Sequence, residues 1–181
     1  MKIKLLVMSF TILFCSCSRV SQSENELRSI LNTQLNIDQF DSVIHRDSKI
    51  SFQLFRETYS YLSVVYLQEG CMPCYPKFVE WHQEMERIGN ISDYSVLFII
   101  QTEWPDVFFK KTSEISNKSD ERFYIIIDPE HQFFIKNNQI PNWIMNSSML
   151  IDKENKIKMV GAPWINEDMK NLFYKTVSSD Q

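Results

Sequence analysis

The stretch Val65-Tyr66-Leu67-Gln68-Glu69-Gly70-Cys71-Met72-Pro73-Cys74-Tyr75-Pro76-Lys77 constrains this chain more than any other. Tyr61 to Leu67 is apolar, aromatic and β-branched with no charge, which predicts a buried strand. Gln68-Glu69-Gly70 predicts the turn that follows. Residues 72–88 then place Phe78, Trp81 and Met85 on one face of a helix. A cysteine pair therefore stands where a strand gives way to a helix. Cys71 falls at the helix N-terminus, where unpaired N–H groups and the positive end of the dipole favour an anion. A thiol held there should ionise below the free value of about 8.5. Cys74 lies one turn later, near enough to attack a disulfide formed on Cys71. Pro73 suits a first helical turn, where a missing N–H costs little. Met72 offers a flexible apolar contact.

The rest of the chain alternates. Residues 24–36 have apolar positions at helical spacing, and residues 45–60 fit helix or strand equally well. Tyr94–Ile100 and Phe123–Ile127 read as further buried strands. Residues 104–115, opened by Pro105, and residues 131–138 read as helices. Residues 149–151 and 157–160 are short strands joined by a turn over 152–156. Residues 167–175 form a closing helix, with Asn166 as its N-cap. This order predicts an α/β fold with a central mixed sheet flanked by helices. Parallel strands with crossover helices make up most of it, and a C-terminal antiparallel hairpin completes it.

Four cysteines are present, at 15, 17, 71 and 74. The Cys71–Cys74 spacing admits a redox dithiol, a structural disulfide or half of a zinc site. Zinc needs four ligands, and His45, His82 and His131 show no second pair at short spacing. Covalent haem needs histidine directly after the second cysteine, where Tyr75 stands. No metal or cofactor is therefore expected. The formal charge of −4 argues against nucleic acid, whose phosphates call for a basic face.

The N-terminus carries its own instruction. Lys2 and Lys4 precede an apolar run from Leu5 to Phe14, too short for a membrane span of roughly 20 residues. It fits the core of a secretory signal peptide. The following Leu13-Phe14-Cys15-Ser16-Cys17 resembles a bacterial lipobox, with Cys17 lipidated after the small Ser16 in preference to Cys15 after the bulky Phe14; a plain signal peptide and an uncleaved anchor are the alternative readings. Residues 1–16 are the expected signal peptide, and residues 17–54 a tether and N-terminal helical extension. Loss of Lys2 and Lys4 takes the charge from −4 to −6. The expected location is the cell envelope, lipid-anchored, with the domain facing the periplasm. Outside the cytoplasm a cysteine pair can persist as a disulfide.

Cys71-Met72-Pro73-Cys74 after an apolar strand resembles the Cys-x-Pro-Cys site of thioredoxin-like proteins. Ser147-Ser148-Met149-Leu150-Ile151-Asp152-Lys153-Glu154-Asn155-Lys156-Ile157 resembles the "TTFLIDKDGKI" strand-turn-strand of the TlpA and redoxin branch of exported thioredoxins. The resemblance implies a thioredoxin-like domain over residues 55–181 and thiol–disulfide exchange. It makes Cys71 the nucleophile and Cys74 the resolving thiol, the two forming a redox-active disulfide, with Met72 and Pro73 supporting them. It also implies protein thiol and disulfide substrates, a membrane or periplasmic electron donor, and action as a reductase. The chain departs from the family pattern at three places. Asn146 stands where relatives carry a cis-proline, and Gly70 where they carry an aromatic residue. Val65 and Lys77 occupy the two positions of their buried acid. Lys77 could instead stabilise a thiolate by charge, or be a solvated surface lysine. Two alternatives stay open: a non-enzymatic binding module on the same scaffold, and a thiol carrier of a soft metal ion.

Overall fold

The computed structural model describes residues 20–46, 48–68, 70, 74–89, 91–116 and 122–178, with the backbone alone for 111–116. Seven strands form one sheet: β1 (Ser42–His45), β2 (Ser48–Ser51), β3 (Tyr61–Gln68), β4 (Tyr94–Gln101), β5 (Phe123–Ile127), β6 (Ser148–Ile151) and β7 (Ile157–Val160). Their order is β2-β1-β5-β4-β3-β6-β7. β3, β4 and β5 are parallel, while β6 runs antiparallel to β3 and β7 antiparallel to β6. On the other side β1 pairs antiparallel with β5 and with β2. The described helices are α1 (Gln22–Ile30), α2 (Phe52–Thr58), α3 (Cys74–Ile88), α4 (Pro105–Ser116), α5 (Gln132–Lys136), α6 (Asn142–Met145) and α7 (Glu167–Ser178).

Both faces of the central strands are covered, which is why their sequences are apolar without alternation. Val65, Leu67, Val96, Phe98 and Ile100 pack with Phe78 and Trp81 of α3 and with Phe173 and Val177 of α7. Leu62, Val64, Tyr66, Leu97 and Ile99 face the other way, onto Phe55, Phe133 and Ile144. Tyr94 lies on the first face, wholly buried, and donates its O–H to Ser63 Oγ at 2.8 Å. Burial pushes its phenol pKa well above the ordinary value of about 10. Above about pH 10 the unfolded chain releases this proton while the native state keeps it, so stability falls as pH rises. Urea titrations from pH 8 upward should therefore show an alkaline decline that Tyr94→Phe reduces. Equal slopes in the two proteins would refute this assignment.

The N-terminal elements differ from the sequence expectation. The helix expected over 24–36 stops at Ile30, and Asn32 takes the left-handed conformation with φ 63, which asparagine tolerates. The chain then runs beside the start of β7: Asn32 N–H donates to Ile157 O at 2.7 Å and Leu35 N–H to Asn155 O at 2.8 Å. Burial of Leu35 and Ile37 drives this departure from the helix. The Asn137 side chain clamps the next residue, accepting from Asn36 N–H and donating to Asn36 O, each at 2.8 Å. The ambiguous stretch 45–60 resolves into the end of one hairpin and a short helix. Two strands thus precede residue 55, so the sheet reaches into the segment expected to be tether and helical extension.

The C-terminal hairpin matches its sequence pattern. Asp152 Oδ1 accepts from the N–H groups of Glu154 and Lys156, both at 2.9 Å, and Oδ2 meets Lys158 Nζ at 3.1 Å. Partial burial raises the Asp152 pKa, but these donors outweigh it and hold the carboxyl below its usual range. Asn155 takes φ 59 to close the turn. Asn166 caps α7, its Oδ1 accepting from Met169 N–H at 2.9 Å.

Candidate functional site

Parallel strands deliver their C-terminal ends to the same place. Gln68 and Gln101 end β3 and β4 in register. β6 starts there too, because Ser148 pairs with Val65. Gly70 follows β3 with φ +74, a conformation that favours glycine. This explains why an aromatic side chain is absent at the position. Cys71, Met72, Pro73 and the lipidation candidate Cys17 lie outside the described residues.

Cys74 is the first residue of α3, half-buried and disulfide-bonded. Its Sγ accepts the backbone N–H of Gln68 at 3.2 Å. The last strand residue thus donates to the first helical sulfur across the turn. Such a donor favours sulfur carrying negative charge over neutral sulfur. Sequence reasoning did not assign this role to Gln68, and no side-chain pattern encodes it, since the donor is backbone.

Lys77 lies one turn further along α3. Its Nζ donates to the backbone O of Asn146. Desolvation lowers the Lys77 pKa, partly opposed by Glu80. Asn146 follows α6, with φ −80 and ψ −3. No cis peptide occurs among the described residues, so the departure from the family pattern at 146 extends to the backbone. Glu80 accepts from Trp164 Nε1 at 2.7 Å, and Trp164 packs edge-on against buried Trp81 at 4.5 Å. His82 is a core residue: it stacks on Phe123 at 4.0 Å, and its Nδ1 lies 2.9 Å from Phe78 O.

Apolar side chains surround this end of the sheet. Tyr75 follows Cys74, Trp104 follows β4, Trp143 lies on α6 before β6, and Ile165 follows β7; all four are exposed. The helix carrying Trp143 was not foreseen in the sequence. Pro141 is its one local signal, its carbonyl accepting from Ile144 and Met145. Among the described residues no group of three or more His, Cys, Asp or Glu is placed to hold a metal ion. No described helix is long and apolar enough to cross a membrane.

No protein-family profile and no curated protein matches the sequence. Solved structures do match. A protein described as a thiol:disulfide interchange protein, DsbE, from Chlorobium tepidum superposes with a TM-score of 0.56 at 16% identity, over 82% of this chain and 98% of that one. The thioredoxin domain of a thiol-disulfide oxidoreductase from Bacteroides vulgatus gives 0.52 at 15% identity, over 82% and 98%. A yeast mitochondrial 1-Cys peroxiredoxin gives 0.57 at 13% identity, over 83% and 78%. The mixed seven-stranded sheet with its flanking helices is a thioredoxin-like fold.

Proposed function

We propose that this protein is an exported, lipid-anchored thiol–disulfide oxidoreductase working through Cys71 and Cys74. The observation that carries the reading is the state of Cys74. It opens a helix directly after a buried parallel strand, sits in a disulfide, and rests its sulfur on the Gln68 amide. Cys71, three residues away, is the natural partner, since Cys15 and Cys17 belong to the leader. The fold supports the reading, and so does the thiol–disulfide activity ascribed to two of its structural neighbours.

The chemistry is exchange. In the reducing direction the Cys71 thiolate attacks one sulfur of a substrate disulfide. The substrate S–S bond breaks, and the leaving thiolate takes a proton. The Cys74 thiolate then attacks Cys71 Sγ, which frees the second substrate thiol. The substrate gains two electrons, and the protein is left as the Cys71–Cys74 disulfide. A donor dithiol from the membrane or periplasm restores it. The exposed Tyr75, Trp104, Trp143 and Ile165 offer an apolar seat for protein substrates.

One preparation tests both halves. The full chain made in a bacterial host should take up an alkyne-tagged fatty acid that Cys17→Ala abolishes. It should also accelerate insulin reduction by dithiothreitol, while Cys71→Ser should not. Equal insulin rates for the two would remove the redox reading, an unlabelled wild type would remove the anchor, and label surviving Cys17→Ala would move it to Cys15.

A binding module is the second reading, favoured by Asn146 and its non-cis backbone at the family's proline position. A partner retained by the Cys71→Ser, Cys74→Ser double variant in a pull-down would support it against exchange.

A further inference from the structure

Lys77 is placed unlike a solvated surface lysine. The residue is half-buried, its ammonium is bonded to a backbone carbonyl, and it makes no ion pair among the described residues. The nearest carboxylate on its own helix, Glu80, is occupied by Trp164 Nε1 at 2.7 Å. Positions three apart on a helix bring Cβ atoms to about 5–6 Å, so Lys77 neighbours Cys74. Its acceptor, Asn146, lies two residues before Ser148, whose strand partner Val65 is three residues before Gln68. Gln68 supplies the amide to Cys74 Sγ. A positive charge is thus fixed between the cysteine helix and the loop before β6.

We propose that Lys77 is a positioning residue that tunes the cysteine pair: its ammonium, seated on the Asn146 carbonyl one turn from Cys74, favours the dithiol form over the disulfide. The proposal rests on the redox reading above and adds the residue that sets its poise. Reduction by a donor dithiol breaks the Cys71–Cys74 S–S bond, brings two electrons and two protons, and leaves the donor as a disulfide. When the Cys74 thiol ionises, its proton passes to solvent and a thiolate forms one helical turn from Lys77. A nearby cation stabilises that thiolate and has little to act on in the neutral disulfide. The family resemblance implies an acid at this position; lysine reverses the sign.

The test is redox equilibration of the full chain with mixtures of reduced and oxidised dithiothreitol, followed by thiol alkylation and gel shift. Lys77→Met and Lys77→Gln should move the equilibrium about tenfold towards the disulfide, on the order of 30 mV for two electrons. Lys77→Arg should stay close to the wild type. Gln keeps a donor for the Asn146 carbonyl without the charge, so it separates electrostatics from the clamp. It also carries the test if Lys77→Met fails to fold. Met and Gln variants that match the wild type would overturn the proposal. So would a shifted Met variant beside an unshifted Gln variant, which would leave only a structural clamp. A wild-type pair that does not exchange at all would instead overturn the redox reading on which this rests.

Discussion

Cys74→Ser protein mixed with an oxidised protein substrate should accumulate a covalent adduct through Cys71, as its major new band on a non-reducing gel. The Cys71→Ser protein should give none. The asymmetry follows from the two positions. Cys71 precedes the described helix in sequence and is the assigned nucleophile. Cys74 is half-buried, already bonded to the Gln68 amide and packed against the aromatic core. Without Cys74 the mixed disulfide has no internal attacker, and only an external thiol clears it. Without Cys71 the remaining sulfur is poorly presented to a bulky substrate. Serine at 74 is close to isosteric and can accept the same amide, so the fold should survive. Adducts of equal yield in both variants, or adducts through Cys74 alone, would invert the assigned roles.

Phe98→Ala should be the most damaging single change in the core. Phe98 is wholly buried in β4, the strand between β3 and β5. Its ring lies 4.7 Å from Phe78, and 5.7 Å from both His82 and Phe123. Phenylalanine truncation in such a site costs about 3–5 kcal/mol through lost transfer energy and the cavity left behind. Against a total stability of roughly 5–15 kcal/mol this is a large share. For a chain of this size it should lower Tm by on the order of 10 °C. The damage should also reach the cysteines, because Phe78 lies one turn beyond Cys74 on α3. Thermal unfolding by circular dichroism checks this, and a loss below about 1 kcal/mol would show that the aromatic cluster closes over the gap.

The central sheet was legible because its signals are local. Tyr61–Gln68, Tyr94–Gln101 and Phe123–Ile127 are mostly apolar runs without a charged residue, and each sits in the sheet interior. The 152–156 turn was legible because Asp152 and Asn155 are turn residues for a mechanical reason. The β1–β2 hairpin was not, since Ser42–Ser51 has no clear alternation. Its strand identity comes from pairing with β5 across a long sequence separation, at Ile44 and Ile125. Leu31 to Ile37 misled in the same way. Its apolar spacing suits a helix, and a tertiary slot beside β7 overrides it. At the site, the sequence marks Cys74 and Lys77 as residue types of interest. It could not supply their partners, because Gln68 and Asn146 contribute backbone atoms and any residue there has those.

The clamp between Asn36 and Asn137 has a mechanical consequence. With Glu26 also bonded to Trp143 at 2.7 Å, the chain is fastened to the body of the protein almost from its first described helix. On the proposed anchoring, five steps of chain would separate Cys17 from Gln22, a reach of at most roughly 18 Å. A domain so anchored would not search the depth of the envelope, and would work at high effective concentration towards whatever shared its patch of bilayer surface.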